Sequence, residues 1–272
     1  KELLSKKYQF KEIISPDTPV VGLLTNAPNK IRGLYDIKLS ERTAFGQGGN
    51  IIGINYSLYE KPGTSVGAKR DIKVIELDEI SLPDNERLLS TFDFIIISDY
   101  DTSLLSDSQK TAISNWVDNG NTLVIGTGEN ARKVYSGLDE NLKPFKIYSQ
   151  KTIQMPESLA DFTERAILEE QMKISTGSIE NGSIIIGDKD TPLAINYTYG
   201  NGNITVLSFD PTTRPISNWD YSKDMWERLL EYNREEIDYW NSNGYYGHYV
   251  SYVSDLSDEG VFPLVFLCII IL

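Results

Sequence analysis

Asp93-Phe94-Ile95-Ile96-Ile97-Ser98, then Ser106-Asp107-Ser108-Gln109, then Trp116-Val117-Asp118-Asn119-Gly120-Asn121-Thr122-Leu123-Val124-Ile125-Gly126-Thr127-Gly128 is the stretch on which the fold turns. Phe94 to Ile97 is an unbroken apolar, β-branched run, the pattern of a strand covered on both faces. Ser106 and Gln109 stand three apart as a capping box, in which each side chain satisfies the other's backbone N–H at a helix start. Ala112, Ile113, Trp116 and Val117 then recur on one helical face. Asn119-Gly120 ends that helix, because both residues take the left-handed conformation at little cost. Thr122 to Gly126 reads as the next strand. Strand, helix and strand at this spacing predict a crossover whose two strands are parallel neighbours.

Working outward, Val20 to Leu24 is a short apolar strand ending in the turn residues Thr25-Asn26-Ala27-Pro28-Asn29. Ile72 to Leu77 reads as a second parallel strand. Between them, glycines at 46, 48, 49, 53, 63 and 67 break up the pattern, and Ile51 to Leu58 is the one strand expected there. Toward the C-terminus, Asn130 to Tyr135 starts another helix, and Leu159, Phe162, Ala166 and Ile167 are spaced for a helix over Ser158 to Gln171. Short strands follow at Ser183–Ile186, Leu193–Tyr199 and Ile204–Phe209. The turn Gly200-Asn201-Gly202-Asn203 joins the last two as an antiparallel hairpin. Ser222 is expected to cap a final helix that buries Met225, Trp226, Leu229 and Leu230. The expected fold is a three-layer α/β/α domain with a largely parallel sheet and a late antiparallel hairpin.

The 272 residues carry a net charge of −13, which argues against a nucleic-acid binder and against simple docking on anionic lipid. With 40% hydrophobic residues the chain has enough apolar mass for a sizeable core. One Cys and one His exclude a Cys/His zinc site, a disulfide framework and a haem-attachment motif. Residues 1–18, with Ser15-Pro16-Asp17-Thr18-Pro19 inside them and at their edge, read as a linker or the end of a preceding domain. Residues 19–235 form the α/β domain, and 236–272 a membrane-proximal tail. The tail has tyrosines and a tryptophan at Tyr239-Trp240, Tyr245-Tyr246, Tyr249 and Tyr252, then the apolar run Val261 to Leu272 with Cys268 inside it. Those twelve residues would reach ~18 Å as a helix, against a hydrocarbon core of ~30 Å. They read as the first half of a membrane span, or alternatively as a buried terminal strand or helix.

The two quoted strands with Trp-Val-Asp-Asn-Gly between them resemble the class I glutamine amidotransferase-like fold. The resemblance is closer to such domains in membrane-anchored surface proteins of Gram-positive bacteria, and to the trimerisation domains of some β-galactosidases. Tyr199-Gly200-Asn201-Gly202-Asn203-Ile204-Thr205-Val206-Leu207-Ser208-Phe209-Asp210-Pro211, with Asn218-Trp219 and Trp226, resembles the closing hairpin and helix of those surface proteins. The resemblance implies an extracellular domain on a flavodoxin-like frame. Working members place a Cys on a sharp strand-to-helix turn beside a His and a carboxylate. Here the matching turn is Gly126-Thr127-Gly128-Glu129-Asn130, without Cys, and the lone His248 lies in the tail. A thiolate needs a base that orients and deprotonates it, so the expectation is a pseudoenzyme with neither catalytic residues nor cofactor, which binds an unknown protein or small molecule and is held to the membrane by a C-terminal span.

In open parallel sheets, ligands bind beyond the carboxyl ends of the strands. That rule gathers Asn26, Asp99, Tyr100, Asp101, Thr127, Gly128, Glu129 and Asn130 around one cleft. Asp99, Asp101 and Glu129 have the chemistry to hold a hard cation, and the alternative is a hydrolase or a metal-dependent enzyme that uses these strand-end carboxylates. Their plainer role is as caps and solvated loop carboxylates. Thr127 as nucleophile with Glu129 as base, and a phosphate cradle at Gly126-Thr127-Gly128, are weaker options, since no His, Lys or Walker-type spacing supports them. A sensory or transporter-associated ectodomain is a further alternative. Asn181, Asn196 and Asn203 each begin a glycosylation triplet.

Overall fold

The computed structural model of the chain describes residues 18–40, 69–180 and 182–233. The strands there are β1 (Val20–Leu24), β2 (Lys38–Ser40), β3 (Lys69–Asp71), β4 (Lys73–Leu77), β5 (Phe94–Ile97), β6 (Thr122–Gly126), β7 (Phe145–Gln154), β8 (Gln171–Ile179), β9 (Ser183–Gly187), β10 (Pro192–Tyr199) and β11 (Gly202–Leu207). The helices are α1 (Arg32–Tyr35), α2 (Glu86–Leu89), α3 (Asp107–Asp118), α4 (Ala131–Tyr135), α5 (Glu157–Thr163) and α6 over 222–233.

Seven strands form one sheet in the order β4-β1-β5-β6-β11-β10-β9. The first five are parallel, and β10 is antiparallel to both its neighbours. Taken by order of appearance, the parallel part runs 2-1-3-4-5, so the winding reverses between β1 and β5. Both faces are covered, which is why β1, β5 and β6 are buried at every position and show no alternation. On one face Ile113, Trp116 and Val117 of α3 join Ile95, Ile97, Leu123 and Ile125. On the other, Met225, Trp226, Leu229 and Leu230 of α6 join Val21, Leu23, Ile96, Val124 and Leu207. The fold is a three-layer α/β/α domain with a late antiparallel hairpin.

Local signals explain several boundaries. The capping box at α3 is complete, with Gln109 N–H on Ser106 Oγ at 3.2 Å and Ser106 N–H on Gln109 Oε1 at 2.9 Å, an arrangement worth about 1 kcal/mol. The Gln109 amide also donates to the Glu79 and Leu82 carbonyls at 2.9 and 2.8 Å, pinning the loop after β4 to the helix. Gly120 follows α3 at φ +107°.

Three expectations change. The helix over Ser158–Gln171 stops at Thr163, where the Thr163 hydroxyl donates back to the Leu159 carbonyl and Glu164 turns left-handed at φ 56°. Ala166 and Ile167 lie beyond it, and Gln171 opens β8 instead. Ser222 is the first residue of α6 rather than its cap. The long ribbon of β7 and β8 lies where no strand was expected, and it forms its own two-stranded antiparallel sheet. The expected strand at Ile51–Leu58, the domain limit at 235, the aromatic tail, His248, Cys268 and the run Val261–Leu272 lie outside the described residues. Among the described residues no helix is long and apolar enough to cross a membrane.

Candidate functional site

The winding reversal opens the mouth of the sheet between the ends of β1 and β5. From β1, Asn26 reaches across it, its side-chain amide donating to the Asp99 carbonyl at 2.9 Å and its N–H to the same oxygen at 3.3 Å. Asp99 sits at φ 50°, unusual for a residue other than Gly. Its carboxylate accepts from Lys133 Nζ of α4 at 2.8 Å. Tyr100 is buried, with its hydroxyl donating to Glu79 Oε2 at 2.6 Å. Burial, then the adjacent Glu79 carboxylate, pushes the Tyr100 phenol well above its ordinary value. Asp101 caps the short turn Thr102–Leu104. It accepts from Ser103 N–H at 3.0 Å and from the hydroxyls of Ser103 and Ser136 at 2.6 and 2.9 Å. Those hydroxyls, Ser103 first, hold its carboxyl below the usual range.

At the end of β6 the chain turns through Thr127 and Gly128 into a short helical turn. Here Thr127 is fully buried and its hydroxyl donates to the Leu207 carbonyl at 2.7 Å. Its N–H points to the carbonyls of Leu207 and Phe209, and Gly128 N–H to that of Ser208, so neither N–H is left to cradle a phosphate. Gly128 has φ +53°, and a Cβ there would lie 2.6 Å from the Asp210 backbone nitrogen, so no larger residue fits. The β7–β8 ribbon closes over this turn. Gln150 and Ser175 donate to the Gly128 carbonyl at 2.6 and 3.3 Å, Ser175 N–H donates to the Ser208 carbonyl at 2.6 Å, and Ile174 bridges to Phe209. Glu129 stays exposed and pairs with Lys173 of the ribbon at 3.2 Å.

Asn130 belongs to a cluster centred on Asp210, a residue sequence reasoning missed as a site residue. Asp210 is 1% exposed. Its carboxylate accepts from the Ser98 hydroxyl at 2.8 Å, from Thr212 N–H and hydroxyl at 2.8 and 2.7 Å, and from the Asn130 amide. Four donors satisfy the buried charge, as burial of a carboxylate demands. The signal was present in Phe209-Asp210-Pro211, a carboxylate at the end of a strand leaving the sheet's carboxyl edge.

The eight residues of the expected cleft therefore fall into three settings: Asn26 and Asp99 at the β1–β5 mouth, Tyr100 and Asp101 in the loop beside it, and residues 127–130 under the ribbon. Asp99, Asp101 and Glu129 each have a different partner. Among the described residues no three of His, Cys, Asp and Glu form a set able to hold a metal ion. Thr127 has no free hydroxyl and no base against it. Of the glycosylation triplets, Asn196 and Asn203 are buried within strands and so closed to a glycan, and Asn181 lies outside the described residues.

No family model matches the chain, and no curated protein matches it in sequence. Among solved structures it resembles a cytoplasmic protein from Salmonella typhimurium LT2, with a TM-score of 0.51 and 12% identity over 79% of this chain and 99% of that one. A second cytoplasmic protein from Salmonella typhimurium aligns at a TM-score of 0.48 and 11% identity over 79% and 98% of the two chains. A β-galactosidase from Bacillus circulans sp. alkalophilus aligns at 0.42 and 12% identity over 81% of this chain and 31% of that one. The first of these likenesses speaks for a shared fold and for nothing about activity.

Proposed function

We propose that this chain is a non-catalytic interaction module, an amidotransferase-like frame that binds a protein or small molecule and is held at the extracellular face of a membrane by the segment after residue 235. The observation that carries the first half is the state of the turn after β6. Its hydroxyl and its two N–H groups are consumed by backbone carbonyls, and a ribbon of polar side chains is bonded over it. Acyl transfer needs an exposed nucleophile, a base in contact with it, and free N–H donors for the oxyanion. This turn supplies none of them. The membrane half rests on sequence, on the apolar run Val261–Leu272 behind an aromatic stretch.

Two measurements test the halves separately. Ammonia release from glutamine by the purified protein should stay at the level of buffer alone. Turnover that Thr127→Val abolishes would overturn the non-catalytic reading. External protease added to intact cells should digest the domain, and protection until lysis would overturn the location.

A further inference from the structure

We draw no further inference here: the strongest candidate, the outer edge of β9 at Ser183–Gly187, an uncharged and proline-free apolar strand that pairs only with β10 among the described residues, carries nothing because nothing in the structure shows what covers it.

Discussion

Replacing Asp210 by alanine removes the acceptor for four donors at once: the Ser98 hydroxyl, the Thr212 N–H and hydroxyl, and the Asn130 amide. Hydrogen bonds to a charged group are worth about 1.5–3 kcal/mol each. Their plain sum overstates the loss, because deleting the carboxylate also relieves the several kcal/mol that its burial costs. Half-buried Asn130 retains access to water, and the two hydroxyls can rotate toward other acceptors; the Thr212 N–H cannot. The expected net destabilisation is about 3 kcal/mol, the size of other losses at buried polar networks. Asp210→Asn separates charge from shape. Its amide oxygen still serves Ser98 and Thr212, its nitrogen faces the Asn130 amide, and a flip of Asn130 restores that bond, so the cost falls to about 1 kcal/mol. Urea unfolding followed by tryptophan fluorescence reads both variants, since Trp116, Trp219 and Trp226 are buried. A shifted midpoint with an unchanged slope marks a loss of stability rather than a change in the unfolded chain. The reasoning fails if Asp210→Ala unfolds with the wild-type midpoint, or if Asn costs as much as Ala.

Gly128→Ala forces a side chain onto the Asp210 nitrogen at φ +53°, and should cost about 3 kcal/mol by the same melts; a loss under about 1 kcal/mol would mean the turn is looser than its contacts. In a Cys268→Ser background, Thr127→Cys should carry a thiol that a chromogenic disulfide reagent reaches only in urea, and rapid reaction in the native protein would contradict burial of the turn. Buried Tyr100 and Tyr197 have phenol values raised by burial, with Glu79 adding to the shift at Tyr100 and Glu180 at Tyr197. Raised values favour the neutral phenol in the folded state, so this stabilisation is complete below the ordinary value of about 10 and is lost as pH rises above it through the raised ones. Absorbance at 295 nm should show part of the tyrosine signal ionising only with unfolding; a single smooth titration would refute the assignment.

The parallel frame was legible because its evidence is local. The run Phe94–Ile97, the Ser106–Gln109 box and Asn119-Gly120 each act within a few residues, and all agree with the crossover between β5 and β6. The ribbon was not legible: β7 carries Phe145, Ile147, an exposed Tyr148 and Ile153 among polar residues, and a register shift between Ile147 and Ser149 interrupts the pairing. The end of α5 was hidden too, since a Glu rather than a Gly takes the left-handed position. Within the candidate site, the strand-end residues could be named from the sequence, but their partners could not. Lys133 lies 34 residues from Asp99, Gln150 lies 22 from Gly128, and Ser98 lies 112 from Asp210. Leu207, Ser208 and Phe209 take the N–H donors of the turn after β6 and the ribbon lies over it, so the closure of that turn is built into the backbone pairing of β6, β8 and β11 rather than into a single side chain.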